Sequence, residues 1–293
     1  MKQSFFRGWV FAAISIVALP FSSFGYEEIA VKRGAALTGV VSLKGPIPHP
    51  SVFQIGRAPF SQYCEKISDG KGHIVLEEYH VGPEGGMQDV IVAVQRVKSG
   101  KPFAPTPTHF FATDCMFHPA EVSHHEMVQS DAQGRVRHAH PLVTVFQENQ
   151  KISVINKDPI PHNGQLFQQE SGHILLNFPI PVSEKKWGGS LHFEKGKKIV
   201  QMICGMHEYM QTYGLVVDNP YYFKTKRDGQ FVIDQLPPGT YEVLAWHPHL
   251  KPIAKQVTVS EGESVSLDFE FKSEWVKPRI FESLEGLRLT ALQ

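Results

Sequence analysis

A seven-residue stretch from Cys204 to Met210 places the strongest constraint on how this chain can fold. Its pattern is C-x2-H-x2-M, so the thiol of Cys204, the imidazole of His207 and the thioether of Met210 follow one another at equal spacing. These soft or borderline donors suit copper, whereas magnesium and calcium prefer oxygen ligands and zinc rarely takes a thioether. The apolar segments 199–203 and 213–217 have strand character, which predicts a short ligand loop between two β-strands.

The segment Pro161-His162-Asn163, upstream of this loop, is the expected source of a fourth donor. Two segments with strand alternation, 142–146 and 152–156, lead the chain toward it. Taken singly, each donor has an ordinary role, because cysteine and methionine often fill apolar cores and histidine is often on the surface. Their joint spacing favours a single metal site instead.

The N-terminal residues have the pattern of an export signal. Lys2 and Arg7 supply a positive end, residues 8–21 form an apolar core, and residues 23–25 offer a small-residue cleavage site. The apolar core is too short to span a bilayer comfortably. We expect residues 1–25 to be a signal peptide and the mature protein to be periplasmic or secreted, with no membrane insertion after cleavage. An uncleaved signal that serves as an anchor is the alternative.

The expected export affects how the three cysteines can pair. In an oxidising compartment an odd number of cysteines needs an explanation. Cys64 and Cys115 can form a disulfide, which leaves Cys204 free to bind a metal as a thiolate. Pairing of Cys204 with either of the other two would destroy the site, and the sequence leaves those pairings open, as it does two further free thiols.

Composition favours a β-rich protein with no nucleic-acid partner. The chain has 21 prolines and 24 glycines, which indicates many turns and short strands. Lys plus Arg and Asp plus Glu both number 29, and no basic run is present. There is also no G-x-S-x-G, H-E-x-x-H or glycine-rich phosphate motif, so we expect a protein that is not an enzyme.

A polar stretch at residues 118–140 is rich in histidine. The spacings match no compact ligand pattern, so we expect an exposed or helical surface there, with a second metal site as the alternative. The histidines are His118, His124, His125, His138 and His140.

His162 together with Cys204-x2-His207-x2-Met210 resembles the type 1 copper site of cupredoxins, the blue copper proteins such as plastocyanin and amicyanin. The resemblance covers residues 110–217 and implies a Greek-key β-sandwich that binds one type 1 copper ion. It implies a trigonal set of His162, Cys204 and His207, with Met210 as a weak axial ligand.

The same resemblance assigns roles around the ion. It implies that His207, on an exposed ligand loop, is the edge through which electrons pass. We expect Asn163 to make a hydrogen bond near the Cys204 sulfur through its backbone or its side chain, with a turn residue that has no metal role as the alternative.

A second resemblance begins at Asp228-Gly229-x-Phe231 and continues through residues 236–241, Leu-Pro-Pro-Gly-Thr-Tyr. These motifs resemble the carboxypeptidase regulatory-like module, a transthyretin-like sandwich. The Gly-Val strand, Gly-x-Pro turn and second apolar strand with which that module begins are found much earlier, at 39–48 and 89–97. We therefore expect an all-β protein in which a cupredoxin sandwich is inserted in, or joined to, a regulatory-like sandwich.

This organisation gives a set of expected segments. They are the signal peptide 1–25, the first half of the regulatory-like sandwich 30–105, the cupredoxin domain 110–217, the second half of the regulatory-like sandwich 218–272 and a C-terminal tail 273–293.

The expected function is that of a periplasmic copper protein that carries single electrons. The expected partner is a redox protein such as a c-type cytochrome or a periplasmic dehydrogenase, met through a small transient interface. Two alternatives remain at this stage: a copper carrier or storage protein without redox turnover, and a binding or scaffold module built on the regulatory-like sandwich. The segment Trp246-His247-Pro248-His249 is expected to be structural or interfacial.

Overall fold

The computed structural model of the protein describes residues 25–76, 78–120, 128–130, 136–138 and 143–277. The expected signal peptide lies outside the described residues except for Gly25. Most of the histidine-rich stretch and the part of the C-terminal tail after residue 277 also lie outside them.

The described residues form 23 short strands, one four-residue helix and three 3-10 turns. The all-β fold expected from the sequence is therefore confirmed. The strands before the ligand loop are β1 (Glu27–Glu28), β2 (Ala35–Lys44), β3 (Ser51–Gln54), β4 (His73–Leu76), β5 (Ile91–Val94), β6 (Ser99–Gly100), β7 (Thr108–Thr113), β8 (Met116–Pro119), β9 (Val128–Ser130), β10 (Val136–His138), β11 (Val143–Gln147), β12 (Lys151–Asn156), β13 (His162–Gln168), β14 (His173–Ile180), β15 (Lys186–Ser190) and β16 (Ile199–Cys204). The later strands are β17 (His207–Val217), β18 (Tyr222–Lys224), β19 (Gln230–Leu236), β20 (Gly239–Trp246), β21 (Ile253–Val259), β22 (Ser264–Ser266) and β23 (Phe269–Lys272). The helix is α1 (Ser61–Cys64), and the 3-10 turns are Ile55–Arg57, Glu65–Ile67 and Ser273–Trp275.

Two sheets form what we call the central sandwich. One sheet has the strand order β11-β17-β16-β13-β14, and the other has the order β15-β12-β7-β8. Buried and part-buried residues alternate along β7 and β13, so each strand contributes one face to a shared core. That core contains aromatic and aliphatic side chains from both sheets, among them Phe110, Phe146, Val154, Leu166 and Met202.

Two further sheets form what we call the flanking sandwich. One has the order β18-β5-β20-β21, and the other has the order β19-β2-β22, with β23 also paired to β2. Strand β2 pairs with β19, and β5 pairs with both β18 and β20, so residues that precede and follow the central sandwich share the same sheets. These pairings close one sandwich from two separate parts of the chain.

Strand β5 joins the two sandwiches because all four of its residues are buried. Val92 and Val94 point into the core of the flanking sandwich. Ile91 and Ala93, which alternate with them, pack in a separate apolar cluster with residues of β11, β17 and β20 that includes Trp246. The continuous apolar run in the sequence is thus explained by burial on both faces of the strand.

Residues 51–76, which we call the cap, pack against the central sandwich. The sequence placed them in the first half of the regulatory-like sandwich, residues 30–105, but Ile55, Ile74 and Leu76 contribute to the core that contains the ligand-loop residues. A disulfide between Cys64 of the cap and Cys115 of the β7–β8 turn ties the two segments together. The cap therefore belongs structurally to the central sandwich even though it lies between β2 and β5 in the chain.

Loss of the disulfide is expected to destabilise the fold. The bond joins residues 51 positions apart, and closing a loop of that size stabilises a protein by about 2–4 kcal/mol, mainly through the unfolded chain. The double variant Cys64→Ala/Cys115→Ala should therefore lose about 2–4 kcal/mol in unfolding free energy, measured by urea denaturation of metal-free protein. A reducing agent should produce a similar loss in the parent protein and no loss in the double variant. Equal stability of the oxidised parent and the double variant would contradict this expectation.

Candidate metal centre

Three predicted ligands lie at one end of the five-stranded sheet. His162 is the first residue of β13, Cys204 is the last residue of β16, and His207 is the first residue of β17. Strands β13 and β16 pair with Gly164 opposite Cys204, and β16 and β17 pair with Cys204 opposite His207. The antiparallel pairing of neighbouring strands thus brings together residues that are far apart in the sequence.

The ligand atoms form a compact triangle. The Nδ1 atoms of His162 and His207 are 3.3 Å apart, and the Cys204 sulfur lies 3.8 Å from the first and 3.6 Å from the second. A point in the plane of these atoms lies about 2.1 Å from all three, within the range of about 2.0–2.3 Å for metal bonds to nitrogen and sulfur. Among the described residues, this is the one group of three His, Cys, Asp or Glu side chains whose ligand atoms are all within 4.8 Å of each other.

Hydrogen bonds at the far side of each ring set the tautomers that metal binding requires. Nε2 of His207 donates to the carbonyl oxygen of Pro59 at 2.8 Å, and Nε2 of His162 donates to Oδ2 of Asp158 at 2.9 Å. A carbonyl or an ionised carboxylate can only accept, so each Nε2 carries a proton. In the neutral form of each ring Nδ1 has a free lone pair, whereas in the protonated form Nδ1 donates to the Cys204 sulfur. The neutral rings therefore offer both lone pairs to an ion bound beside the sulfur.

His207 is fully buried, with 0% of its surface exposed. The expectation that it forms the exposed edge of the site is therefore wrong. Pro59, which lies 148 residues earlier in the chain, covers its Nε2 atom. The ligand loop gives no sign of this cover because the covering residue belongs to the cap.

Asp158 holds several parts of the site together and was not identified from the sequence. Its carboxylate accepts hydrogen bonds from His162, the Tyr63 hydroxyl of the cap, and the backbone N–H groups of Asp114 and Cys115. Burial alone raises the pKa of this carboxyl, but the hydrogen bonds outweigh that effect and keep the pKa below its usual value. Its position four residues before His162 is the sequence signal that could have found it.

Asn163 contacts the Cys204 sulfur through its backbone. Its N–H points at the sulfur at 3.5 Å, and its carbonyl accepts a hydrogen bond from the N–H of Gly205 at 3.0 Å. The side-chain amide instead donates to Asn177 and to the carbonyl of Phe178. The main chain of Asn163 therefore fixes the start of the ligand loop, while its side chain fixes β14.

Cys204 is the free cysteine of the protein, and it is buried. Burial by itself raises the pKa of the thiol, but hydrogen bonds from His162 and His207, together with backbone N–H groups of Asn163 and Met206, lower the pKa to about 6. Burial likewise opposes the protonation of His162, but Asp158 and Cys204 outweigh it and raise the pKa of this histidine. The site therefore stabilises a thiolate before any metal binds.

Met210 is fully buried in the apolar cluster that also contains Cys204 and Tyr209. Tyr209 directly precedes Met210 in the chain, and the centroid of its ring lies 5.6 Å from that of the His207 ring. The axial role of Met210 stays a prediction.

The histidine-rich stretch was expected to be an exposed or helical surface, and its described residue His118 is neither. His118 lies on strand β8, is buried, and has its Nε2 atom 3.2 Å from the carbonyl oxygen of Thr113. It is neither exposed nor helical, because the β7–β8 pairing turns it into the central sandwich. His124, His125 and His140 lie outside the described residues, and His138 is described only as part of β10.

Comparison with protein families identifies a module in the later part of the chain. Residues 215–272 match the carboxypeptidase regulatory-like domain, and these residues include β18 to β23 of the flanking sandwich. The resemblance noted at 228–241 is therefore confirmed. No curated protein matches the chain in sequence.

Comparison with solved structures finds cupredoxins and a related enzyme. A copper-containing nitrite reductase from Thermus scotoductus is 12% identical with a TM-score of 0.27, and the match covers 41% of this chain and 24% of that one. A purple cupredoxin from Nitrosopumilus maritimus is 18% identical with a TM-score of 0.22, covering 30% and 88%. A mutant of amicyanin in its reduced Cu(I) form is 10% identical with a TM-score of 0.26, covering 43% and 98%. At these identities and TM-scores the matches assign no function to this chain.

The ionisation of Cys204 gives a direct test of the metal-free site. Since the other two cysteines form a disulfide, the ultraviolet absorbance of thiolate should report Cys204 alone and should titrate at a pH of about 6. An ordinary thiol titrates near about 8.5. Replacing His207 by Ala should move the midpoint upward because one stabilising hydrogen bond is lost. A midpoint near that ordinary value in the parent protein would contradict the stabilisation of the thiolate by these hydrogen bonds.

Proposed function

We propose that the protein is an exported copper protein that carries single electrons through one type 1 copper site. The observation that carries this proposal is the buried triangle of two imidazole nitrogens and one thiolate, which places all three atoms at bonding distance from a common point. His162, Cys204 and His207 would hold the ion, with Met210 as the weak axial ligand. Bound copper would supply a centre that gains and loses one electron.

The donor set fits copper better than zinc. A structural zinc site needs four strong ligands, and the described residues bring together three. The nearest carboxylate, Asp158, is engaged in hydrogen bonds to His162 and to backbone N–H groups. Two imidazoles and a thiolate around one point, with a thioether nearby in the chain, form the set typical of electron-transfer copper.

The protein fixes each ligand separately. The ring of His162 is held by Asp158, the ring of His207 by the Pro59 carbonyl, and the sulfur of Cys204 by the N–H of Asn163. Ligands that are already in place need little rearrangement when the charge of the site changes, and small reorganisation favours fast electron exchange.

Burial of the ligands favours electron transfer over the other roles considered. All three are at most 2% exposed, so a substrate could not reach the centre without displacing the cap. A copper carrier would also have to release its ion past these covered ligands. An electron needs no such opening, and we therefore propose that the protein is not an enzyme.

The location and partners belong to the same proposal. A disulfide is typical of oxidising compartments, which supports export to the periplasm or beyond. No helix among the described residues is long and apolar enough to cross a membrane. The proposed partner is a redox protein such as a c-type cytochrome or a periplasmic dehydrogenase.

The visible spectrum of the oxidised, copper-loaded protein tests the proposed centre. We expect about one copper per chain and an intense thiolate-to-copper charge-transfer band, because Cys204 would be bound directly. Cys204→Ser should abolish the band, whereas Met210→Leu should keep it, since an axial thioether is a weak ligand. A parent protein that binds copper stoichiometrically without this band would overturn the type 1 assignment.

The reduction potential tests the role of Asp158. Asp158→Asn removes a buried negative charge hydrogen-bonded to a ligand ring, so the more positive oxidised site should lose stabilisation. Coulomb's law at this range gives a rise on the order of 100 mV in the potential measured by voltammetry. Glu184→Gln is the matched control, because Glu184 is an exposed carboxylate paired with Lys157. The reduction potential of this control variant should barely change. Equal shifts in the two variants would rule out a specific role for Asp158.

A further inference from the structure

A single peptide group of the cap, the carbonyl of Pro59, covers the Nε2 side of the His207 ring. The carbonyl oxygen of Pro59 accepts the hydrogen bond from Nε2 of His207 at 2.8 Å, and the ring has no exposed surface. If copper binds at Nδ1, the far side of this ring therefore meets the main chain of the cap instead of solvent.

The next residue, Phe60, combines two unfavourable features. Its backbone is in the left-handed region, with φ 56° and ψ 24°, which costs a non-glycine residue about 1–2 kcal/mol. Its side chain is 46% exposed although it is a large apolar ring. Glycine would remove both costs at this position, so the presence of phenylalanine calls for a role of its ring at the surface.

The other ligands offer poorer routes to the surface. The ring of His162 leads to Asp158, which is itself buried beneath the cap. Beyond Cys204, Gly205 is exposed but has no side chain, and Met206 is only partly exposed. Among the described residues, Pro59 and Phe60 join a ligand ring to an exposed aromatic ring across one hydrogen bond and one peptide bond.

We propose that the Pro59–Phe60 turn is the electron port of the site, where a one-electron donor makes contact. The proposal rests on the proposed function, since it needs a redox-active ion at the triangle. One electron would leave the donor, which would be oxidised, and would pass by way of Phe60, the Pro59 carbonyl and the ring of His207 to an ion held at the triangle. No covalent bond forms or breaks, and the Nε2 proton stays on the ring because a carbonyl is too weak a base to remove it.

Charge substitutions at Phe60 test this port in the copper-loaded protein. The probes are hexacyanoferrate(II), an anionic reductant, and hexaammineruthenium(II), a cationic one, and the reduction rate is followed by stopped-flow absorbance. Phe60→Lys should increase the rate of reduction by the anionic reagent and decrease the rate of reduction by the cationic one. Phe60→Glu should have the opposite effect on both rates. At low ionic strength we expect changes of roughly threefold to tenfold, which high salt should suppress.

Two sets of variants define the comparison. Val232→Lys and Val232→Glu are the matched controls, because Val232 is a 52% exposed apolar residue on β19 of the flanking sandwich. Their effects on both reagents should be much smaller than those at Phe60. Met206→Lys and Met206→Glu test the competing route beside Cys204. The proposed port would be contradicted if charge substitutions at Phe60 changed the reduction rates no more than those at Val232 do. It would also be contradicted if substitutions at Met206 changed these rates more than those at Phe60 do.

A measurement on metal-free protein checks the route without electron transfer. The ring N–H of His207 should appear in proton NMR spectra as a resonance that exchanges slowly with water, because the Pro59 carbonyl holds it. Phe60→Gly, which removes the ring and relieves the backbone strain, should fold and keep this resonance while it slows the reduction of the loaded protein by both reagents. A rapidly exchanging ring N–H in a protein whose loaded form shows the charge-transfer band would overturn the port alone, whereas a missing charge-transfer band in the loaded parent would overturn the proposed function and the port with it.

Discussion

The buried carboxylate of Asp158 is the contact on which the architecture of the site depends. A charge removed from water has to be satisfied by hydrogen bonds, and this one is bonded by a ligand ring, by the cap through Tyr63 and by the backbone of the turn that carries Cys115. The loss of any one of these partners would remove a hydrogen bond from a buried charge, which is unfavourable. One side chain therefore fixes the orientation of His162, the seating of the cap and the position of the disulfide-bonded turn together. The same negative charge would stabilise a positive ion held at the triangle, so structural and electrostatic roles would coincide.

The sequence predicted the parts of the site that come from local spacing and failed where distant segments meet. His162, Cys204 and His207 were identified because donor type and spacing are written in the chain, and the structure brings their ligand atoms together. The all-β fold was likewise predictable, because alternation and turn residues mark short strands. The burial of His207 was not predictable, because the residue that covers it, Pro59, lies 148 positions away. Asp158 was missed for a different reason: a carboxylate that supports a ligand without binding the ion has no spacing rule as strict as that of the ligands.

The junction between the sandwiches follows from the same physical logic as the cores. A strand buried on one face alternates apolar and polar residues, whereas β5 is apolar throughout because Val92 faces one cluster and Ile91 and Ala93 face another. Trp246 and the His249 ring, which packs edge-on against Tyr213 of β17, extend this junction beyond β5. A polar residue at Ala93 would have to be buried without water. The sandwiches are thus held by a shared apolar layer and do not meet only through a linker.

The topology makes the metal centre a meeting point of two excursions from the flanking sandwich. The chain leaves that sandwich after β2 to form the cap and returns at β5, then leaves again to form the central sandwich and returns at β18. The second excursion supplies all three ligands, and the first supplies the peptide that covers one of them. The second excursion begins and ends on strands that pair with each other, β5 and β18, and the first is closed by a bridge between Ser42 of β2 and Gly86. These pairings shorten the effective loops to be closed and lower the entropic cost of bringing the two together. The Cys64–Cys115 disulfide then joins the excursions directly beside Asp158. The flanking sandwich is therefore part of what builds the site, because it anchors both segments whose contact encloses His207.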